Sequence, residues 1–376
     1  MKKIFFSLLL FTAVNKCEAQ SSTQFYEKGK TLKTDSKINE AIAEFKEAVR
    51  LDAKFRDAWY ELGWCYNDIE EYKNALASLR TARNLGLETS KMFFELAYAF
   101  EKTGNDDSAI NNYKRCLAIN PDYSSVNKRL GYIAYAKEDY VTAIQYFDKF
   151  EVINKTPIED YYYWYRKGYA YNALKKFEAA KTSLNKSLQF KQDYISTYLE
   201  IGFACYKLSQ NDEAISNYQK AINIDSKNHI PYNGIGDVYR DNIKNMDNAM
   251  EWYRKTLAFK PTERKANYGV CYCLNSNGKY SEAIPYIQKA IDNETNYTAA
   301  YVEIGYSYYM TSNNVLALEN LKKAISISPL NENARYYAAL VYINQGNRTL
   351  AQKMTDELKQ LGSTLTDKLQ EKVNKM

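Results

Sequence analysis

The sequence is poor in residues that break helices and in residues that carry catalysis. Among its 376 residues there are 6 prolines, 14 glycines and 1 histidine. So few prolines and glycines argue against sandwiches, long loops and disordered segments. The single histidine, His229, has no cysteine or carboxylate cluster at ligand spacing. We interpret it as a turn residue, and the sequence predicts no metal site and no cofactor.

Motifs of catalysis and of nucleic-acid binding are also missing. The sequence contains no glycine-rich phosphate loop, no G-x-S-x-G elbow and no H-E-x-x-H motif. The net charge is +6, and positive and negative residues interleave without a basic tract that would neutralise a phosphate backbone. The sequence therefore predicts a protein that is neither an enzyme nor a nucleic-acid binder.

Residues 1–19 have the pattern of a secretory signal peptide. Lys2 and Lys3 provide a positive start, and residues 4–14 form an apolar core. This core is shorter than the roughly 20 residues that cross a bilayer, and no later segment is apolar enough to cross one. We therefore expect no transmembrane span, cleavage after Ala19, and a mature protein that begins at Gln20 in the periplasm or outside the cell.

Cys17 offers an alternative, because bacterial lipoproteins carry a lipid on an N-terminal cysteine. Such signals resemble an apolar residue followed by two small residues before the cysteine, whereas Val14, Asn15 and Lys16 stand here. Lys16 departs from that pattern. We expect cleavage after Ala19 rather than lipidation.

What the sequence does contain is a repeat. A small residue, called here the crossing residue, recurs with a period of about 34 residues, lengthened by three at one place and by one at another: Gly29, Gly63, Ala97, Gly131, Gly168, Gly202, Gly236, Cys271, Gly305 and Ala339. A register alanine follows each one at the twelfth position, or at the thirteenth in the seventh repeat: Ala41, Ala75, Ala109, Ala143, Ala180, Ala214, Ala249, Ala283, Ala317 and Ala351. Two helices cross closely only where the residues between them are small, so each repeat is predicted to be a helix pair. One pair cannot bury its own apolar stripe, and the pairs must stack.

The two helices of each repeat also carry apolar stripes. Trp59, Leu62, Gly63 and Tyr66 fall at i, i+3, i+4 and i+7 of a first helix. Short polar turns follow, some with a glycine suited to a left-handed helix end, as at Gly104, Gly278 and Gly346.

These residues resemble the tetratricopeptide repeat (TPR) family. The first half of its motif is matched by Tyr301-Ile304-Gly305-Tyr308 and the second half by Ala214-Tyr218-Ala221. The resemblance covers residues 22–362. It implies an all-α fold, a right-handed superhelical solenoid of about ten helix-turn-helix repeats. Residues 363–376, with Leu365, Leu369 and Val373 at i, i+4 and i+8, are predicted to form a capping helix.

Two segments interrupt the period. Residues 154–161 hold three extra residues including Pro157, and residues 240–248 hold one extra residue. We interpret the first as a candidate joint between repeats 1–4 and 5–10. It is not predicted to be a domain boundary, because the periodic pattern continues on both sides.

The cysteines that remain after export are an odd set of five: Cys65, Cys116, Cys205, Cys271 and Cys273. They occupy positions of small or core residues in other repeats; Cys271 replaces the crossing glycine itself. Cysteine behaves there as a small buried hydrophobe. We expect buried free thiols rather than disulfides.

Aromatic residues form a further stripe on the first helices. The residue after the crossing residue is aromatic in seven repeats: Trp64, Tyr98, Tyr132, Tyr169, Phe203, Tyr272 and Tyr306. Four residues earlier stand Tyr60, Phe94, Tyr165 and Tyr268. Three residues later stand Asn67, Asn172 and Asn275, or Tyr135, Tyr206 and Tyr309. At about 100° per residue, the stripe lies away from the core of its own helix pair.

The resemblance implies that this face lines a concave groove that holds peptides. The rings would supply apolar contact area, and the asparagine amides would bond the backbone of an extended ligand. The predicted function is a scaffold that binds a segment of another protein in the cell envelope. Two alternatives stay open: a glycan or peptidoglycan ligand stacked on the rings, and rings that only pack between neighbouring first helices.

Overall fold

The computed structural model describes residues 21–292 and 296–376, and in that part of the chain it contains 21 α-helices and no strand. The predicted signal peptide, residues 1–19, lies outside the described residues. The chain divides into two compact units. The first unit ends at Ile158, and the second begins at Glu159. This division falls inside the candidate joint at residues 154–161.

Four helix pairs make up the described part of the first unit. Their helices are α1 (Ser22–Thr34), α2 (Ile38–Leu51), α3 (Arg56–Asp68), α4 (Tyr72–Asn84), α5 (Ser90–Lys102), α6 (Asp106–Ile119), α7 (Ser124–Ala136) and α8 (Tyr140–Ile153). Odd-numbered helices are the first helices of the repeats and even-numbered helices the second.

Six further pairs and one final helix make up the second unit. They are α9 (Tyr161–Ala173), α10 (Phe177–Phe190), α11 (Ile195–Lys207), α12 (Asn211–Ile224), α13 (His229–Asp237), α14 (Met246–Phe259), α15 (Arg264–Ser276), α16 (Tyr280–Asp292), α17 (Thr298–Met310), α18 (Asn314–Ile327), α19 (Glu332–Asn344), α20 (Arg348–Gln360) and α21 (Thr366–Asn374). The predicted all-α architecture of paired helices is confirmed.

The crossing residues lie where the two helices of a pair approach most closely. A Cβ atom added at Gly202 would lie 2.7 Å from a ring carbon of Tyr218 on the second helix, and one at Gly63 would lie 2.5 Å from Leu79. All ten register alanines are fully buried. The steric origin of the repeat period is therefore confirmed: small residues permit the approach, and a large side chain fills the space one turn after the alanine.

The turn between the two helices has one geometry in every repeat. Gly104, Gly278 and Gly346 adopt left-handed backbone, with φ of 76°, 75° and 69°. Non-glycine residues adopt the same conformation in the other repeats, for example Glu70 at 61° and Lys175 at 59°. The left-handed helix end predicted from the glycines is confirmed.

The extra residue of the seventh repeat lies in a helix rather than in a loop. A π-helical segment, Val238–Ile243, continues α13 and ends at Lys244, whose φ is 62°. A π-helical turn absorbs one inserted residue while it keeps its main-chain hydrogen bonds. The insertion therefore leaves the stacking of the seventh repeat intact.

The final helix α21 packs on α19 and α20. Leu369 is fully buried in a cluster with Ala339 and Leu358, and Val373 is fully buried against Tyr342 and Ala351. These apolar contacts cover the last helix pair of the second unit, as expected of a capping helix.

The five cysteines of the described chain are free and buried, which confirms the expectation. Burial raises the pKa of the Cys65 thiol to about 12 and that of Cys116 to about 11. Thiols with such pKa values carry little thiolate and are therefore chemically inert at neutral pH.

Candidate functional site

The first helices α9, α11 and α13 border a cavity of about 850 Å³ in the second unit. Its lining is mostly aromatic and aliphatic, with a few charged groups: Tyr169, Asn172, Ala173, Lys175, Phe177, Leu199, Glu200, Phe203, Tyr206, Lys207, Tyr218, Ile230, Gly234, Asp237 and Lys265. Phe203 is 37% exposed and Ile230 is 50% exposed, although both are large apolar residues. The volume and the lining match those of ligand-binding clefts in general.

Three rings of the predicted stripe line this cavity together with one of the predicted asparagines. Tyr169, Phe203 and Tyr206 come from two consecutive repeats, and Asn172 lies beside them. A second, smaller and more polar cavity of about 260 Å³ lies in the first unit and includes Trp64, Phe94, Tyr98 and Asn67. The structure thus brings members of the stripe together within each unit.

The ring after the crossing residue packs against the ring that begins the preceding second helix. Tyr98 meets Tyr72 with ring centroids 6.1 Å apart, and Phe203 meets Phe177 at the same distance. Tyr306 meets Tyr280 at 5.7 Å. All three pairs are edge-to-face and join the same two positions of consecutive repeats, so one side of each of these rings is covered by its own fold.

The rings four residues earlier pack against the aromatic residue that precedes the next first helix. Phe94 meets Tyr123 at 5.0 Å, Tyr165 meets Tyr194 at 5.1 Å and Tyr268 meets Tyr297 at 5.3 Å. The same contact between consecutive repeats thus occurs three times. Tyr60, which stands at the same register, is partly buried against the core of the first unit.

The remaining stripe residues are held by varied contacts. Lys33 lies over the Trp64 ring, the Tyr206 hydroxyl donates to Asp241 at 2.7 Å, and Arg240 lies over the Tyr272 ring. Tyr132 and Tyr135 pack against the aromatic rings of Phe147 and Tyr140, respectively, and Tyr309 interacts with Asn344. All fourteen stripe rings are half-buried, except for the more exposed Phe203. Each keeps part of its surface open, and their role toward a ligand stays a prediction.

The three asparagines of the stripe are buried and hydrogen-bonded within the fold. Asn67, Asn172 and Asn275 are only 5%, 5% and 4% exposed. The Nδ2 of each donates both to the main-chain oxygen and to the carboxylate of a glutamate 28 residues later, in the next first helix. Both N–H groups of each amide are therefore engaged. These amides join consecutive repeats, and their contact with a ligand backbone stays a prediction.

Burial acts on the carboxyl groups of the glutamates in these three pairs. Burial raises the pKa of Glu95 to about 7, against the opposing effect of the hydrogen bond from Asn67. Burial likewise raises the pKa of Glu200 and of Glu303. These carboxyls bind their protons more tightly than exposed glutamates do.

Charged residues at the far side of the larger cavity form a closed network. Asp237 accepts from the Tyr253 hydroxyl at 2.7 Å, lies 3.3 Å from Arg240 and pairs with Lys265. Arg240 also donates to Asp241 at 2.6 Å. In the first unit Glu101 is likewise engaged, by Tyr113 and Arg129. The carboxylates that a sugar ligand would need beside the rings already have protein partners.

Sequence reasoning predicted only four of the residues that line the larger cavity, and Tyr218 and Gly234 are among those it missed. The repeat motif places Tyr218 in the core of its pair, and it does pack there, against Gly202. Its ring also extends beneath the next first helix, where a Cβ atom at Gly234 would lie 2.5 Å from its Cζ. Glycine stands here at a register that holds Glu61, Glu95, Glu200 and Glu303 in other repeats. A glycine in place of glutamate at this position was the sequence feature that could have pointed to this part of the cavity.

The single histidine lies beside Lys260 and Glu263. His229 is the first residue of α13 rather than a turn residue, and burial followed by the charge of Lys260 lowers its pKa. Across residues 21–292 and 296–376 there is no group of three or more potential metal ligands. Over the same residues no helix combines the length and apolarity needed to cross a bilayer.

Family models match the chain in several places. A model described as "TPR repeat" matches residues 202–242, and two described as "Tetratricopeptide repeat" match residues 26–86 and residues 90–123, 161–194 and 231–263. Together these matches cover about half of the chain.

Curated relatives come from varied organisms. A TPR repeat-containing protein of Methanocaldococcus jannaschii is 27% identical over 221 residues, 56% of this chain and 38% of the relative. Heat shock protein STI1 of Saccharomyces cerevisiae is 31% identical over 113 residues, 30% of this chain and 19% of the relative. The matched regions span less than half of the length of either relative.

Solved structures share the fold at low identity. The Cut9 and Hcn1 hetero-tetramer structure includes a chain with a TM-score of 0.52 and 13% identity, covering 95% of this chain and 97% of that one. A tetratricopeptide repeat protein from Parabacteroides merdae gives a TM-score of 0.51 and 16% identity, covering 67% and 97%. The family models, the regular register of small residues and these folds agree: the chain belongs to the tetratricopeptide repeat family.

Proposed function

We propose that this protein is an exported, non-enzymatic scaffold that binds a segment of another protein on the first helices of its second unit. TPR proteins generally mediate protein–protein interaction. The observation that carries the proposal is the cavity between α9, α11 and α13, where Phe203 and Ile230 expose large apolar surfaces toward a concave site. Contiguous apolar surface in a concave site is typical of binding sites.

Half-buried rings suit such a site. Stripe rings are held at one edge by a second ring of the fold, as in the pair Phe177 and Phe203. A ring already fixed in position loses little conformational freedom when it binds, and aromatic residues in such settings contribute much of the affinity of protein interfaces.

The test uses a phage-displayed library of random dodecapeptides, selected on the purified protein. Ile230→Asp places a charge in the cavity, and Ile224→Asp, at the end of α12 and outside the cavity, is the matched control. The two isoleucines are similarly exposed, at 50% and 44%. We expect selected peptides to bind the wild type and Ile224→Asp but to lose at least tenfold in affinity for Ile230→Asp. Equal binding to both variants would overturn this site.

Export is the second part of the proposal, and it is supported by the pattern of residues 1–19. N-terminal sequencing of the protein from its native host should give Gln20-Ser21-Ser22. An intact Met1 would overturn export, and a lipid on Cys17 would overturn cleavage after Ala19.

A further inference from the structure

Tyr218 carries a hydroxyl that has no partner within the fold. Tyr218 is 5% exposed and lines the cavity between α9, α11 and α13. Within the described residues its hydroxyl forms no hydrogen bond. The hydroxyl oxygen is not fully enclosed by protein atoms, so it is accessible from the cavity. Buried hydroxyls are nearly always hydrogen-bonded, so an unpartnered one that reaches a cavity is available to bond a group held there.

In two other repeats, the tyrosine at this position has a hydrogen-bond acceptor within the fold. Tyr113 and Tyr253 stand at the position of Tyr218 in the third and seventh repeats. Their hydroxyls donate to Glu101 and Asp237 of their own first helices, each at 2.7 Å. In the sixth repeat the corresponding first-helix positions are Phe203 and Tyr206, which carry no carboxylate. The acceptor that this tyrosine requires is therefore absent from its own repeat.

Gly234 lets the Tyr218 ring pack directly against α13. The equivalent glutamates of other repeats, such as Glu95 and Glu200, extend their side chains between consecutive first helices and accept from an asparagine there. Gly234 has no side chain, and the Tyr218 ring occupies that space, with its Cζ 2.5 Å from where a Cβ atom would lie. This position therefore supplies no carboxylate to the Tyr218 hydroxyl.

The charges around the cavity define the chemistry of the acceptor. Burial, followed by the charges of Asp237 and Glu200, raises the pKa of the Tyr218 hydroxyl, which shows that both carboxyls lie near it. A tyrosine hydroxyl donates readily to a neutral carbonyl oxygen, which can lie beside these carboxyls without charge repulsion.

Two of the three lysines that line the cavity lie at the C-terminal ends of first helices. Lys175 follows α9 and Lys207 ends α11; both are exposed, and neither forms an ion pair in the described part of the chain. Lys207 instead lies over the rings of Phe203 and Tyr206. Lys265, the third cation, is already paired with Asp237. Two unpaired lysines beside exposed apolar rings favour an anionic group at this end.

We propose that this cavity binds an extended peptide segment in which an apolar side chain stands next to an acidic residue. The apolar side chain packs among Leu199, Phe203 and Ile230. A main-chain carbonyl accepts from Tyr218, and the acidic side chain pairs with Lys175 and Lys207. This assignment rests on the proposed function, since it names the class of segment that the same site recognises.

The test uses four sets of fluorescein-labelled dodecapeptides and fluorescence anisotropy on the purified protein. One set carries a central leucine flanked by aspartates, the second a leucine flanked by serines, the third a leucine flanked by lysines, and the fourth an alanine flanked by aspartates. We expect the first set to bind at least tenfold more tightly than the others, and its affinity to fall as salt rises.

Two tyrosine variants separate binding from folding. Tyr218→Phe removes a hydroxyl without a partner in the fold, so we expect an unchanged melting temperature and an affinity for the leucine–aspartate set lowered about threefold to tenfold. Tyr113→Phe, the matched control in the first unit, removes a hydroxyl bonded to Glu101 and should lower the melting temperature without changing that affinity. Lys207→Gln should weaken the leucine–aspartate set and leave the leucine–serine set unchanged.

The outcomes distinguish this assignment from the proposed function. Equal binding of the aspartate and serine sets, or unchanged affinity of Tyr218→Phe, would overturn the assignment, while display-selected peptides sensitive to Ile230→Asp would leave the proposed function standing. Failure of every synthetic and display-selected peptide would overturn both. Binding of peptidoglycan fragments in place of peptides, abolished by Ile230→Asp, would also overturn both.

Discussion

The side-chain amide of Asn172 donates to the main-chain oxygen of Glu200 at 3.0 Å and to its carboxylate at 2.8 Å. The bond joins two consecutive first helices at the edge of the larger cavity. Asn67 and Asn275 form the same pair with Glu95 and Glu303. The stripe therefore contains structural links between repeats as well as candidate ligand contacts.

One link is more complete than the other two. The Oδ1 of Asn275 accepts from the Ser307 hydroxyl at 2.8 Å, whereas the Oδ1 atoms of Asn67 and Asn172 are buried without a partner in the described structure. Ser307 stands two residues after its crossing residue, where the repeat of Glu200 has Ala204. We predict that Ser307→Ala lowers the free energy of unfolding by about 1–2 kcal/mol, because it leaves a buried acceptor unsatisfied.

The converse substitution is the control. Ala204→Ser should supply the missing donor to Asn172 and raise the free energy of unfolding by about 0.5–1 kcal/mol, even though serine is a poorer helix former than alanine. Urea unfolding, with hydrogen exchange of α9 and α11, measures both. A loss of stability in Ala204→Ser would contradict this account of the link.

A pH dependence is predicted for the Asn67–Glu95 pair. The pKa of Glu95 is raised from 4.5 to about 7, so its protonated form stabilises the folded state. That contribution is fully present below pH 4.5 and is lost as the pH rises through 7, by at most about 3 kcal/mol. Lys33, Asp68 and Glu61 also act on this carboxyl.

Glu95→Gln keeps an acceptor for Asn67 but cannot ionise. We predict that the stability of this variant declines less than that of the wild type between pH 5 and pH 8 in urea titrations. Glu88→Gln, at an exposed glutamate outside any helix, should leave the wild-type slope unchanged. Parallel stability curves for Glu95→Gln and the wild type would refute the prediction.

Overpacking of a crossing is predicted to be costly. Ala214 is fully buried where α11 and α12 approach each other, and Gly202 has no room for a Cβ atom beside Tyr218. We predict that Ala214→Leu lowers the free energy of unfolding by about 1–3 kcal/mol and speeds hydrogen exchange over residues 195–226. Ala77→Leu, at an exposed position of α4, is the control and should change stability little. Unaltered exchange in Ala214→Leu would be the contrary result.

The thiols are predicted to be unreactive in the folded protein. All five cysteines of the described chain are buried, and burial raises the pKa of Cys205 and Cys273 to about 12. Ellman's reagent should therefore react with no thiol in native protein and with five after unfolding in guanidinium chloride. A sixth thiol would mean that Cys17 is retained, and rapid reaction of the native protein would contradict the burial of the cysteines.

The sequence by itself determined the helix pairs, their period and their close crossings. The reason is steric and local: a small residue at Gly202 and an alanine at Ala214 allow two helices to approach, and the same pattern recurs along the chain. The pattern can be recognised from the sequence because it occurs in every repeat. The buried cysteines followed from the same register.

Only the tertiary structure decided what lies between repeats. Asn172 and Phe203 belong to the same stripe. The asparagine is hydrogen-bonded to Glu200 of the next repeat, whereas the phenylalanine stays exposed. The repeat motif places Tyr218 in the core, and its free hydroxyl emerged only from the absence of a carboxylate opposite it. Such roles depend on side chains that belong to different repeats, and periodicity places a residue on a face without revealing which partner occupies it.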